Sequence, residues 1–459
     1  MGVPAMKNSL CLTIAWIVAG LFAVAYPSRA VSAAEAPKVK RPNVLFLFTD
    51  DQRPDTVAAL GNPQIQTPNL DRLVRTGLVF HNSYCMGSTM PAVCLPSRTM
   101  MLSGRSLFHI ENRGKEAASF PKSMNGAGYY TYHHGKRSNT PHDIHRAFDQ
   151  SRYLKDREVR KSGYPGKEVA DRAVAFLTDY DEERPFFMYL AFAGPHDPRD
   201  ANAEYLAKYN VGSMLLPANY LPLHPFDNGE MTIRDERLAP WPRTEQVVRE
   251  HLRDYYAVIT HMDAQIGRIL NTLEEIGQYE NTLIVFSSDH GLAVGSHGLM
   301  GKQNLYEHSM RVPLVFSGPG IPQGKSASAF TYLFDIFPTV CDLVGADVPT
   351  EIDGVSFAPV IRGSRSTGRE TIYTAYREVQ RGVRRGQWKL LRYPQINRSQ
   401  LFDLEADPQE RNDLSEHPAQ RERVVALTAL MEQQRQANGD KTELMTLTPK
   451  ESAFHPPAE

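Results

Sequence analysis

Residues 43–49 read NVLFLFT, an apolar run that stops abruptly at Asp50-Asp51. A strand with one wet face alternates polar and apolar residues. A continuous run belongs to a strand buried on both faces, as in a parallel sheet covered by helices. The pattern recurs as PFFMYLAF at 185–192, ahead of Gly194-Pro195-His196-Asp197. It appears again as TLIVFSS at 282–288, ahead of Asp289-His290-Gly291, and as VPLVFSG at 312–318. Helical spacing lies between these runs. Residues 67–77 carry Leu70, Leu73 and Val74 on one face, with Gly77 as the expected C-cap. Residues 167–180 and 244–277 repeat the period, the second stopping at Gly277. Strands alternating with helices predict an α/β fold built on a large, mostly parallel, doubly wound sheet flanked by helices.

The chain has 459 residues, 41% hydrophobic and 22% charged. That is room for one large domain with a smaller attachment. A formal net charge of −1 supplies no global field for nucleic acid or an acidic membrane, so neither is expected as a partner. Near residue 365 the text changes to short strand-like pieces, TIYTAYREV, GVRRGQWKLLRY and SQLFDLEADPQE, and then a helical stretch at 418–437. The expected organisation is a leader at 1–34, a catalytic domain at 35–365, and a C-terminal α+β subdomain at 366–459 with a small antiparallel sheet and a helix. Between 199 and 242 the text is irregular, with Pro217, Pro222 and Pro225. Its aromatics Tyr220, Phe226 and Trp241 point to an ordered, packed loop, and a loop this long is usually functional. Residues 446–459 read as a loose tail.

Lys7 precedes an apolar run at 10–26, followed by Ser32-Ala33-Ala34 and the first acid, Glu35. A basic start, an apolar core and a small-residue site describe a secretory signal peptide, so the protein is expected to be exported, periplasmic or secreted. The alternative is a retained anchor, since a run of about 17 residues sits at the lower limit for spanning a bilayer. No other run is apolar enough, so no stable membrane insertion is expected. Beyond the leader only Cys85, Cys94 and Cys341 remain. A core of this size does not need disulfides. A Cys85–Cys94 bridge is the plain reading of that pair, and the odd count leaves a thiol to be explained.

Three of the buried strands end in polar groups: Asp50 and Asp51, then His196, then Asp289 and His290. In open α/β sheets the C-terminal edge is where ligands bind. Alone, a DD pair can be a helix cap or a solvated turn, and DHG a turn. Converging on one edge, these carboxylates need a cation, and oxygen donors suit Ca²⁺ or Mg²⁺.

The sharpest motif is CLPSRTMMLSGR, Cys94 to Arg105. Pro96 is tolerated in the first turn of a helix. Cys94 would then stand at a helix N-terminus, where the dipole favours anions. Arg98 adds a planar fork suited to oxyanions. The same setting would also lower the pKa of a plain reactive thiol. A structural disulfide needs neither Arg98 nor Arg105.

On these residues the chain resembles the formylglycine-dependent, type I sulfatases of the alkaline phosphatase-like superfamily, from PNVLFLFTDD to LFDLEADP. Ser103 stands where Thr is usual. The resemblance implies that a separate maturation enzyme oxidises Cys94 to formylglycine. It implies Ca²⁺, before Mg²⁺, held by Asp50, Asp51, the modified Cys94, Asp289 and His290. It assigns active-site roles to Cys94, Arg98, Lys136, His196 and Lys302, although each lysine taken singly reads as a surface charge. His196 is the expected acid for the departing alcohol, with Lys302 the alternative. The family commonly has a histidine two or three residues after the lysine matching Lys136. Here Arg137, Ser138 and Asn139 follow, so either His133, His134 or His142 replaces it or that contact is absent.

The implied substrate is a sulfated glycan or oligosaccharide, and the text resembles carbohydrate sulfatases such as iduronate 2-sulfatase more than the aryl type. The 199–242 loop and Arg377, Arg381, Arg384 and Arg385 are expected to flank the pocket, where arginines could recognise a carboxylate or a neighbouring sulfate. Three alternatives stand beside this reading. One is a phosphodiesterase or phosphonate monoester hydrolase on the same scaffold. Another is an inactive secreted glycan-binding protein, and the third is a thiol enzyme using unmodified Cys94.

Overall fold

The apolar runs become central strands of a nine-stranded sheet. In this computed structural model the described residues are 1–2, 41–111, 117–136, 141–154 and 161–457. The expected leader therefore lies outside them, except for its first two residues. The chain divides into Met1–Lys40 and Arg41–Glu459, and the account below concerns the second unit. Among the described residues no helix is long and apolar enough to cross a membrane.

The strands are β1 Asn43–Asp50, β2 Gly77–Tyr84, β3 Gly87–Ser88, β4 Tyr130–Gly135, β5 Gln150–Tyr153, β6 Phe186–Pro195 and β7 Thr282–Ser288. They continue as β8 Arg311–Val312, β9 Leu314–Ser317, β10 Lys325–Tyr332, β11 Thr371–Tyr376, β12 Gln380–Arg385, β13 Trp388–Tyr393 and β14 Arg398–Asp403. The large sheet runs β10-β2-β9-β7-β1-β6-β4-β5, with β8 paired to β2. β1 lies at its centre, parallel to β6 (Val44 opposite Phe187) and to β7 (Val44 opposite Leu283). Every residue of β1 is buried, which is why its sequence does not alternate.

The fourth apolar run departs from expectation. It splits into β8 and β9 around Pro313, which has no N–H for the ladder. β9 runs antiparallel to both β7 and β2. After β7 the chain loops over the C-terminal edge of the sheet and returns without a full crossover helix, so it can only run back antiparallel.

Helices cover both faces. Glu245–Glu275 is capped by Thr244, whose hydroxyl accepts from the Val247 N–H at 3.3 Å, and it buries Tyr255, Val258, Met262, Ile266 and Leu270. It ends two residues before Gly277, which has φ +68°. Pro68–Thr76 is another of the predicted helices, and Gly77 is its C-cap as expected, though not a left-handed one. Gly77 is extended and starts β2. A Cβ there would stand 2.3 Å from the Phe316 carbonyl oxygen, so close approach of β9 demands the glycine.

A second, smaller sheet has the order β14-β13-β12-β11-β3. Its four C-terminal strands are antiparallel, and the Arg421–Ala437 helix lies beside them, with Arg423 3.7 Å from the Trp388 ring centre. β3 joins this sheet parallel to β11, Gly87 opposite Ala375, seven residues before Cys94. The C-terminal tail is tied down rather than loose. Ser452 accepts from the Asp227 N–H at 2.8 Å, and Phe454 packs against Trp241.

Candidate active site

β1 ends at Asp50, and Asp51 then turns with φ +68°, a left-handed conformation that aspartate tolerates better than most residues. The turn is pinned by its own backbone. The Asp51 N–H donates to Asp289 Oδ1 at 3.0 Å, and its carbonyl accepts from the Tyr255 hydroxyl at 2.5 Å. The ends of β6 and β7 bring His196, Asp289 and His290 to the same edge.

Cys94 begins a buried helix, Cys94–Ser103, with Pro96 in its first turn. Gly104, at φ +68°, caps that helix by donating to the Met100 carbonyl at 2.8 Å. Arg105 thus lies a helix length from Cys94, roughly 15 Å at the usual rise. Arg98 points back into the site. It is fully buried, donating from Nε to Asp289 Oδ2 at 3.0 Å and from Nη2 to the Thr49 carbonyl at 3.1 Å, with Asp50 Oδ2 at 3.7 Å. Ser97 Oγ donates to the Asp289 carbonyl at 2.7 Å, so one turn of this helix holds the end of β7.

The nine residues singled out in the sequence all meet here, and all are buried. Cys94 Sγ lies 3.2 Å from His290 Nε2, 3.3 Å from Lys302 Nζ and 3.7 Å from Asp51 Oδ1. Lys302 Nζ spans both Asp51 oxygens at 2.8 and 3.0 Å, and Lys136 Nζ pairs with Asp50 Oδ2. His290 Nδ1 faces the Gly291 carbonyl at 2.9 Å. A carbonyl only accepts, so Nδ1 carries a proton, and Nε2 faces the carboxylates of Asp51 and Asp289. His196 is held the same way, its Nδ1 on the Asp197 carbonyl at 2.7 Å.

Burial and charge pull the titrations apart. Burial alone would raise Asp50, but Lys136 and Arg98 hold it well below the usual carboxylate range. Against the same burial, His196 and Lys302 hold Asp51 at about 2. Asp289 is raised, by burial and then by Asp50 beside it. Burial would lower Lys302, yet Asp51 drives it well above the ordinary amine value. The Cys94 thiol is pushed well up by burial and then by Asp50, against the pull of Lys302. That direction is opposite to the lowering that a helix N-terminus and Arg98 would give a plain reactive thiol.

The donor set fits a hard cation. Ligand atoms of Asp50, Cys94, Asp289 and His290 lie within 4.8 Å of one another, and so do those of Asp50, Asp51, Cys94 and His196. Three converging carboxylates with one imidazole lone pair suit an oxygen-preferring divalent ion.

Above this cluster opens a cavity of about 340 Å³ lined by Cys94, Lys136, His196, Lys302, Pro91, Ala92, Ile233, Arg234, Asp235 and Gln303. The 199–242 loop thus reaches the site as expected, through Ile233–Asp235. The arginines expected from the C-terminal part do not. Arg381 is buried on Asp440, Arg384 sits on Glu307 at 3.2 Å, and Arg377 pairs with Glu230. A salt-bridged arginine in the small sheet looks the same in sequence as one that faces a ligand. Cys85 and Cys94 form no bridge, and Cys85, Cys94 and Cys341 are free. Instead the Cys85 thiol accepts from the Gly87 N–H at 3.3 Å.

None of the three candidate replacement histidines lines the cavity. His133 bonds Ser151 Oγ at 3.0 Å and stacks on Tyr189, His134 lies buried 3.9 Å from Glu168, and His142 is exposed. Arg137, Ser138 and Asn139 lie outside the described residues. Arg234, Asp235 and Gln303 also line the cavity, and no motif in the sequence marks them. The only signal available was the polar text of an otherwise proline-rich loop and the residue after Lys302.

Residues 42–346 match the family described as Sulfatase, and residues 295–437 match N-sulphoglucosamine sulphohydrolase, C-terminal. Choline-sulfatase of Rhizobium meliloti is 30% identical over 82% of this chain and 83% of its own length. N-acetylglucosamine-6-O-sulfatase of Bacteroides thetaiotaomicron is 28% identical over 82% and 83%. A solved structure in complex with its substrate D-glucosamine-2-N,6-O-disulfate superposes with a TM-score of 0.73 at 26% identity, covering 88% of this chain and 99% of that one. The phosphonate monoester hydrolase of Agrobacterium radiobacter reaches 0.73 at 21% identity, covering 91% and 100%, and so shares the fold. With the match to the first model spanning most of the chain, the protein belongs to the sulfatase family, type I sulfuric ester hydrolases of alkaline phosphatase-like fold.

Proposed function

We propose that this protein is an exported carbohydrate sulfatase that acts through Cys94 matured to formylglycine and a divalent cation, Ca²⁺ before Mg²⁺. The observation that carries the reading is the position of Cys94. It stands at a helix N-terminus on the wall of a cavity that also presents Lys136 and Arg234, with Lys302 Nζ at 3.3 Å and His290 Nε2 at 3.2 Å. The named activities of the N-acetylglucosamine-6-O-sulfatase and of the enzyme solved with a disulfated glucosamine support a sugar substrate. The basic, apolar and small-residue text of 1–34 supports export. Residues 35–365 are read as the catalytic domain and 366–459 as its C-terminal subdomain.

Asp50, Asp51, Asp289 and His290, with position 94, would hold the cation, which supplies positive charge beside the sulfate oxygens. Formylglycine at position 94 supplies an oxygen nucleophile with a second hydroxyl that serine and cysteine lack. The remaining work belongs to the chain's own side chains. Lys136 and Lys302 neutralise sulfate oxygens from the cavity wall, already oriented by Asp50 and Asp51. Arg98 holds Asp289 and the end of β1 in place. His196, in its imidazolium form with Nδ1–H held on the Asp197 carbonyl, gives its Nε2 proton to the departing alcohol oxygen.

The test is Cys94→Ala in the matured protein. It should fold and lose essentially all turnover of sulfate esters, and the native Cys94 peptide should be about 18 Da lighter than its thiol form, as the aldehyde for covalent catalysis requires. Near wild-type turnover by Cys94→Ala sinks the assignment. Equal or better turnover of phosphate esters moves the protein to the phosphonate hydrolase side of its fold.

A further inference from the structure

The cavity holds a cation that this mechanism does not use. Arg234 lines it with the side chain 62% exposed, whereas Lys136 and Lys302 are buried on its floor. Its Nε donates to Asp235 Oδ1 at 2.6 Å, and its Nη2 reaches Asp197 Oδ1 at 3.4 Å. Nη1 makes no hydrogen bond among the described residues. One edge of the guanidinium is therefore clamped while the other remains free to donate. Asp235 cannot itself read the substrate. It is buried, with Oδ1 holding Arg234 and Oδ2 accepting from Gln303 Nε2 at 2.8 Å, so both oxygens are already engaged.

Arg234 Nη2 also lies 3.4 Å from His196 Nε2. If His196 addresses the departing oxygen, Arg234 reaches atoms only a few bonds from that oxygen, on the same ring. A planar fork with a free edge is suited to an oxyanion. We propose that Arg234 selects substrates carrying a carboxylate or a second sulfate on the ring that bears the scissile ester. This inference rests on the sulfatase reading above and assigns to Arg234 the role that Arg381 and Arg384 cannot fill.

The test compares kcat/KM for 4-nitrophenyl sulfate, for the same ester with an adjacent ring carboxylate, and for the ring with an adjacent second sulfate. The matured full chain, Arg234→Gln and Arg234→Lys are assayed. The ratio of each anionic substrate to the parent cancels any difference in folded or matured fraction. Arg234→Gln should lower at least one ratio tenfold or more, as loss of a charge-assisted fork does. Loss on the carboxylate, on the second sulfate or on both names the oxyanion, and Arg234→Lys should recover part of it. A smaller change in both ratios overturns the proposal, because an arginine that only steadies His196 would lower all three substrates alike. Turnover of phosphate esters and of none of the three sulfates overturns the sulfatase reading, and this inference with it.

Discussion

Lys302 Nζ lies 3.3 Å from Cys94 Sγ while bridging both oxygens of Asp51 at 2.8 and 3.0 Å. One ammonium therefore touches the candidate nucleophile and a candidate metal ligand together. Lys302→Ala should cost on the order of 10²–10³-fold in kcat for an aryl sulfate, the usual loss when one preorganised charge is removed. His196→Ala should instead lose more on an alkyl sulfate than on a nitrophenyl sulfate, whose leaving group needs no proton. Equal losses on both esters would remove His196 from the acid role.

Asp50 and Cys94 cluster with Asp289 and His290 and, in a second group, with Asp51 and His196. Chelation should abolish activity and lower the thermal midpoint, and added Ca²⁺ should raise it again. At a hundredfold excess over Kd the stabilisation is about 2.7 kcal/mol. Scanning calorimetry of the wild type and Asp289→Asn provides the check, because the variant should lose most of the Ca²⁺-dependent shift. A midpoint indifferent to Ca²⁺ in the wild type would refute a cation at this site.

Arg98 is fully buried between Asp289, the Thr49 carbonyl and Asp50. Arg98→Ala strands the buried Asp289 carboxylate, while Asp50 keeps Lys136, and should destabilise by about 3–5 kcal/mol, as removing one partner of a buried ion pair does. Urea unfolding measures this directly. A loss below about 1 kcal/mol, typical of an exposed pair, would show that Arg98 does not hold the site together.

His224 is buried with Nδ1 on the Phe226 carbonyl at 2.6 Å and Nε2 at 3.0 Å from the Tyr306 hydroxyl. Burial pushes it down to about 4 from its ordinary 6.5. The unfolded chain therefore takes up a proton first as pH falls. The stability this neutral histidine supports is present above pH 6.5 and is lost progressively down to about pH 4. The loss is about 3 kcal/mol for a shift of this size. Unfolding free energies at pH 7, 5.5 and 4.5 should fall accordingly, and His224→Gln should make the slope shallower by up to one proton. An unchanged slope would show that His224 is not held neutral.

Much of this arrangement was legible in the chain itself. Buried strands declare themselves by runs without alternation, and three such runs are β1, β6 and β7, the strands that deliver Asp50, His196 and Asp289. The Cys94–Arg105 text reads as a helix start with an arginine one turn on, and it folds as one. Less was legible where a residue's meaning depends on a distant partner. Gly77 caps its helix as its text suggests, but what demands a glycine there is the distant Phe316 carbonyl. The 312–318 run looked parallel and is not, because strand direction follows from the connection rather than from composition.

By itself, then, the sequence determined the local elements, the buried strands and the residue types at their ends, since these depend on neighbours one to four positions apart. Only the tertiary structure decided which charges meet. Lys302 finds Asp51 across 251 residues and Lys136 finds Asp50 across 86. Arg381 is taken by Asp440, while Arg234, among the described residues, keeps one edge unpartnered in the cavity. Charge pairing acts through space at a few ångströms, and only the packed sheets bring those distances about.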